Sequence, residues 1–128
     1  MISFLACQYT TTRMKDPTFS RDAKSLSKDI NNVILTQSIN VNGEEIITNG
    51  KSRSELTISL INPKNIPADT SGRMMILGHV ASIIKYALSD TNEYMIYNVY
   101  FVNRSTKDHV TNTTSIGDSY KSEEIKPE

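Results

Sequence analysis

Cysteine is almost absent from this chain. Cys7 is the single one among 128 residues, so no internal disulfide can form. With only two histidines, no Cys/His cluster has the spacing of a zinc site. Net charge is absent as well, since 14 basic residues balance 14 acidic ones. Residues 1–64 carry 8 basic and 6 acidic side chains, and residues 65–128 carry 6 and 8. Neither half is polarised enough for a nucleic-acid footprint or a polybasic membrane patch. No apolar run approaches the ~18 residues of a membrane-spanning helix. A phosphate loop is missing too: Asn49–Ser52 reads NGKS but lacks the earlier glycine and the strand-to-helix context, and is read as a hairpin turn. No GxSxG nucleophile elbow occurs.

What is present suits one domain with a modest core: 128 residues, 38% of them apolar. The chain opens on MISFLACQYTTTR. Residues 1–6 are apolar or small, Cys7 follows, and then a Thr-rich polar run holds Pro17 and shows no clear period. SFLAC has the form of a lipobox, in which small and apolar residues precede a cysteine that takes a lipid. The polar run after it reads as a flexible tether. No basic residue precedes Cys7 and the apolar segment is shorter than the ~7–15 residues of an export signal. The alternative is that Ile2, Phe4 and Leu5 pack on the core and Cys7 is a small buried hydrophobe. Residues 1–18 are therefore assigned to a signal remnant and tether, 19–120 to the domain and 121–128 to a tail.

Phe19, Ala23, Leu26, Ile30 and Val33 recur at three and four residues, the spacing of an amphipathic helix, with Ser20 as the expected N-cap and an end between Val33 and Gln37. The period then changes to two. Asn42-Gly43, between Ile39/Val41 and Ile46/Ile47, is the expected hairpin turn, and Asn49-Gly50 the start of a longer polar turn. Leu56, Ile58 and Leu60 alternate with Thr57 and Ser59, a strand with one wet face. Pro63 and Pro67 end it. Ile76, Leu77, Val80, Ile83, Ile84, Ala87 and Leu88 make a second helix from about Ser71 to Ser89, capped by Asp69 or Ser71. Gly78 inside it costs up to ~1 kcal/mol against alanine and suggests a close approach to a sheet. EYMIYNVYFV is a strand apolar on both faces, NRSTKDH a turn, and VTNTTSI a last strand with Val110 and Ile116 inward. The order argues for an α+β fold: a mainly antiparallel sheet of about four to five strands with two helices on one face.

Catalytic groupings are weak. Cys7 with His79 or His109 would make a thiol dyad only if the fold brought them together. Glu44-Glu45 are adjacent on a strand and point to opposite faces; Glu123-Glu124 lie at the C-terminal tail. His79 reads as a core-edge residue and His109 as a turn residue. No cofactor or metal is expected. The sequons at Asn103 and Asn112 read as exposed turn and strand chemistry. The candidate binding residues are the wet-face Thr57, Ser59, Thr111 and Thr113, with Tyr94 and Tyr100, which share a strand parity and offer contact area with a polar tip.

SFLAC, the Thr-rich run and a body containing EYMIYNVYFVNRS together resemble small uncharacterised lipoproteins of Bacteroidetes-like bacteria. The resemblance implies a cell-envelope location, with the membrane as partner through a lipid on Cys7, and supplies no catalytic residues. The functional expectation is a non-enzymatic envelope binding or interaction module of unknown ligand, with no nucleic-acid partner. The alternatives are an immunity or inhibitor protein, and a small enzyme assembled from distant residues. A cytoplasmic location follows instead if Met1 is the true start.

Overall fold

A computed structural model describes residues 9–127. In chain order the elements are β1 (Thr10–Met14), α1 (Ala23–Val33), β2 (Ser38–Thr48), β3 (Lys51–Ile61), α2 (Thr70–Ala87), β4 (Ile96–Lys107) and β5 (Val110–Lys121), followed by a 3-10 turn over Ser122–Glu124. The strands form one open sheet in the order β1-β2-β3-β4-β5. Every pairing is antiparallel except β3–β4, which is parallel and bridged by α2. This is the expected α+β class, a mainly antiparallel five-stranded sheet with two helices.

The core is one layer thick. Leu56, Ile58 and Leu60 of β3 and Tyr97, Val99 and Phe101 of β4 are each 0% exposed. They pack with Leu77, Val80, Ala81 and Ile84 of α2 and with Leu26, Ile30 and Ile34 at α1. Both helices therefore cover the same sheet face. Asp69 caps α2 as expected, its carboxylate accepting from the Gly72 amide at 2.8 Å. Asp22, not Ser20, caps α1, accepting from the Ser25 amide at 2.6 Å. Ser20 instead donates its amide and hydroxyl to the Ala87 carbonyl.

Both turns differ from the expectation. β2 runs unbroken through Asn42-Gly43, and the hairpin is closed at Asn49-Gly50 alone, with φ of 52° and 78°. These are the positive values a type I′ turn demands. Gly43 is a glycine for a different reason. A Cβ there would overlap the Lys15 carbonyl oxygen and the Tyr94 ring. The β4–β5 turn is only Asp108-His109, again with positive φ at both positions (53° and 64°), and NRSTK is strand. Beyond the last β3–β4 partners, Ile61 and Val102, β4 and β5 continue as a two-stranded arm. Residues 103–117 are all exposed. That corrects the inward assignment of Val110 and Ile116, which are 58% and 47% exposed. Val110 sits on the arm, past the end of β3, where alternation selects no buried face; Ile116, opposite Phe101, points to the helix side but from the outermost strand.

The described parts of the segments assigned to a tether and to a tail are also tied down. Thr10–Met14 forms an edge strand on β2, in place of a tether over those residues. Its five residues are exposed, so it is held by backbone pairing rather than by burial, to which threonine's β-branching is suited. The C-terminal segment docks on α2. Lys85 donates to the Ser122 and Ile125 carbonyls at 2.6 and 3.2 Å, Ser82 to the Lys126 carbonyl at 2.7 Å, and Ile125 is buried. On the other side of the same helix end, the Ser20 and Ser89 amides donate to the Ala87 and Thr18 carbonyls, both at 2.8 Å.

Gly43 and Gly78, each inside a regular element, should respond oppositely to alanine. Around Gly78 the nearest atom to an added Cβ is the Tyr120 hydroxyl at 3.8 Å, ordinary contact. No close approach requires that glycine, and Gly78→Ala should stabilise by up to about 1 kcal/mol. Gly43→Ala should destabilise by about 2 kcal/mol or more, because backbone and a buried ring must move. Urea denaturation midpoints check both signs.

Candidate functional site

The sheet face turned away from the helices carries the candidate surface. Pleating and register place Thr57 and Ser59 of β3, Asn98 and Tyr100 of β4, and Ser119 of β5 on it together. Ser59 lies opposite Tyr100, and Thr57 opposite Asn98. Thr57 and Ser59 are half-buried while their neighbours Leu56 and Ile58 are fully buried, as a sheet with one covered face requires. Thr113 and Thr111 share this face but sit on the arm, opposite Arg104 and Thr106. Thr113 is thus roughly 13 Å along the strand from the Tyr100 row. Thr111 shares its hydroxyl with Thr106 at 3.0 Å.

Tyr94 does not belong to this surface. It is 1% exposed and donates its hydroxyl to the Lys15 carbonyl at 2.5 Å. It precedes β4 in a turn, so strand parity with Tyr100 does not apply to it. Its ring packs edge-on to Tyr97, centroids 6.4 Å apart, and Lys15 Nζ stands 5.5 Å from its centroid. Burial, reinforced by Glu93 and Asp16, pushes the Tyr94 phenol up to about 12. It is neutral and structural. Tyr100 is the one tyrosine of the three on the open face. Its ring lies over Gly117, its cross-strand partner, where a Cβ would overlap it. An aromatic covering a strand glycine is a recognised sheet device.

Sequence reasoning missed the polar chain that crosses the face. Arg53 Nε donates to Glu55 Oε2 at 2.6 Å, Asn98 Nδ2 to Glu55 Oε1 at 2.9 Å, and Ser119 Oγ to Asn98 Oδ1 at 2.5 Å. Three adjacent strands are thereby joined by side chains. The Asn98 hydrogen bond, opposed by desolvation and aided by Arg53, holds the Glu55 carboxyl below its usual range. Glu44 lies directly opposite Glu55, a like-charge pairing that a strand pair resists and that Arg53 offsets. The signal was present as two-residue spacing of Arg53, Glu55 and Thr57, but the partner strand was needed to give it meaning.

The remaining candidates are dispersed. Glu44 and Glu45 point to opposite faces, and Glu45 pairs with Arg13 on the helix side. Glu124 accepts from the Lys121 amide at 2.8 Å. His79 is half-buried on α2, and His109 is exposed in the β4–β5 turn. Cys7, the lipidation candidate, lies outside the described residues. Among the described residues no group of three or more His, Cys, Asp or Glu side chains could hold a metal ion, and no helix is long and apolar enough to cross a membrane. The chain matches no family model, no curated protein and no solved structure.

Two measurements probe these assignments. Glu55 is lowered in the folded state, so its contribution is full above the ordinary value of 4.5 and is lost as pH falls through the folded value. Wild type should exceed Glu55→Gln in denaturation midpoint at pH 6, about the midpoint of neutral-range stability measurements, and the gap should close as pH falls below 4.5. The second concerns the buried tyrosines. Among the described residues the buried Tyr97 hydroxyl has no hydrogen-bond partner, so Tyr97→Phe should be neutral or stabilising. Tyr94→Phe strands the Lys15 carbonyl and should cost about 1 kcal/mol.

Proposed function

We propose that this chain is a non-enzymatic binding or interaction module, held at a bacterial cell envelope by a lipid on Cys7, with the open sheet face as its working surface. The observation that carries the binding reading is the uncovered face itself. Both helices lie on the other side of the sheet. The free side presents Thr57, Ser59 and Tyr100 beside the Arg53–Glu55–Asn98–Ser119 chain. Hydroxyls, amides and one aromatic ring with low rotamer entropy suit a hydrogen-bonding ligand. The hydrogen bonds of the Arg53–Glu55–Asn98–Ser119 chain hold those four side chains in place before any ligand arrives, which reduces the ordering cost of binding.

The envelope reading rests on SFLAC. It gains a geometric corollary from β1, which begins at Thr10. Three residues of chain reach at most ~10 Å. A lipid on Cys7 would therefore keep the β1 edge and the neighbouring Asn49-Gly50 hairpin close to the bilayer rather than on a long leash.

Both halves are testable in the source cells. Native protein should partition into detergent and carry acyl mass on Cys7, and Cys7→Ser should release it to the aqueous phase. An unmodified thiol in the soluble fraction overturns the envelope assignment. A photo-crosslinking residue at Ser59 should capture a partner that one at Lys24, on the helix side, does not. Adducts only from Lys24 would move the working surface to the helices.

A further inference from the structure

The two sheet edges are built differently. β1 is short, five residues, and carries Arg13. β5 is twelve residues long, and from Val110 to Gly117 it carries no charge and no proline. Among the described residues no strand pairs its outer side, and its Ser119 and Lys121 amides are taken by the Asp118 and Glu124 side chains, both at 2.8 Å, contacts a pairing strand would replace. Natural edge strands are blunted by charges, prolines, bulges or brevity, and a long uncharged edge invites pairing. A second observation falls at the same place. Ile116 (47% exposed) projects to the helix side of β5, beside Met74 (43% exposed) at the N-terminal half of α2, and the adjoining Met75 is 75% exposed. Edge and apolar patch are contiguous: Ile116, Gly117 and Asp118 line one depression with Arg73, Met74 and Leu77.

We infer that β5 is a homodimer interface: two copies pair antiparallel through β5 about a two-fold axis at Ile116, making one continuous ten-stranded sheet. A two-fold antiparallel pairing is isologous, and opposite residues share a face, so the axis passes through a residue. At Ile116 the two isoleucines meet, and the N-terminal halves of the two α2 helices lie side by side over them, covering Met74. The register then sets Thr114 opposite the copy's Asp118, Thr111 opposite its Lys121 and Ser119 opposite its Thr113. No like charges are opposed. An axis one residue earlier, at Ser115, would set Ile116 against Thr114 and lose the apolar centre. Thr111–Lys121 at ~3.3 Å per residue is ~36 Å long; the ~23 Å from Ser115 on has sheet plus helix, ~20 Å deep, and the arm has sheet alone, ~10 Å deep. That is ~600 Å² per copy, or ~1,200 Å² in all, at the lower end of the range of stable interfaces. The pairing leaves the open face uncovered and doubles it, so the inference does not depend on what that face binds.

The test is the mass of the full chain in solution by sedimentation equilibrium, with three variants at exposed or half-exposed positions. Wild type should sediment at twice the 14.4 kDa of one chain. Thr114→Asp places carboxylates opposite Asp118 at two symmetric sites and should weaken the dimer roughly ten-fold. Thr114→Lys should retain or tighten it. Ile116→Cys in a Cys7→Ser background should form an intermolecular disulfide on oxidation, since directly opposed strand residues are ~4.5–5.5 Å apart at Cα. Wild type that stays monomeric at about 100 μM, weaker than any functional dimer of this size, overturns the inference. So does a dimer indifferent to both Thr114 substitutions, which would place the interface elsewhere. A monomer whose β5 amides gain exchange protection only on adding an extended Thr-rich peptide would assign the edge to a peptide strand and also overturn it.

Discussion

The parallel pairing of β3 with β4 is the constraint on which the rest of the architecture depends. Two parallel neighbours cannot be joined by a tight turn, because the chain leaves one strand at the end opposite to where the next begins. It must travel back the length of the strand, and α2 is that return. The helix has to lie against one face, so Leu56, Ile58 and Leu60 and Tyr97, Val99 and Phe101 become the core by being beneath it. Hairpins then extend the sheet outward on both sides, β2 from β3 and β5 from β4. The open face is a consequence of this route, since α1 packs beside α2 and, among the described residues, the chain makes no crossover on the other side.

The same constraint explains where the sequence was legible. Wherever one face is covered by α2, burial alternates with the pleat, and Leu56-Thr57-Ile58-Ser59-Leu60 could be read directly. The broad stripe of α2 was legible because it is buried over most of its length. Legibility failed where backbone geometry, not side-chain burial, decides. Asn42-Gly43 and Asn49-Gly50 carry the same turn chemistry. Only the approach of Lys15 and Tyr94, from segments 28 and 51 residues away in sequence, makes the first a site of close packing. β1 is exposed throughout and is held by main-chain hydrogen bonds, which leave no hydrophobic pattern. Val110 and Ile116 look inward by composition, yet the arm carries Val110 past the covering layer, and Ile116, opposite Phe101, lies on the outermost strand of the sheet.

The candidate surface shows the same division. Thr57, Ser59 and Tyr100 follow from parity along single strands, and the structure brings them together. The chain Arg53–Glu55–Asn98–Ser119 depends on register between three strands, including the parallel pair. No spacing rule within one strand predicts which asparagine meets which glutamate. Tyr94 was assigned to the surface by extending strand parity past the point where the strand begins. A residue two positions before β4 obeys the turn, and here the turn directs the ring against Gly43 of β2 and the Lys15 carbonyl.

The final turn of α2 has a property that differs from the rest of the helix. Its Ala87 carbonyl takes the Ser20 amide, Ser89 reaches Thr18, and Lys85 and Ser82 hold the carbonyls of Ser122, Ile125 and Lys126. Segments from near both ends of the chain are thus fastened to one spot. Helix ends ordinarily fray first and open independently of the body. Here fraying would require the release of the N-terminal approach and the C-terminal segment together. Local opening at this turn is therefore coupled to the release of both terminal segments, and its amides should exchange more slowly than those of the exposed first turn of the same helix.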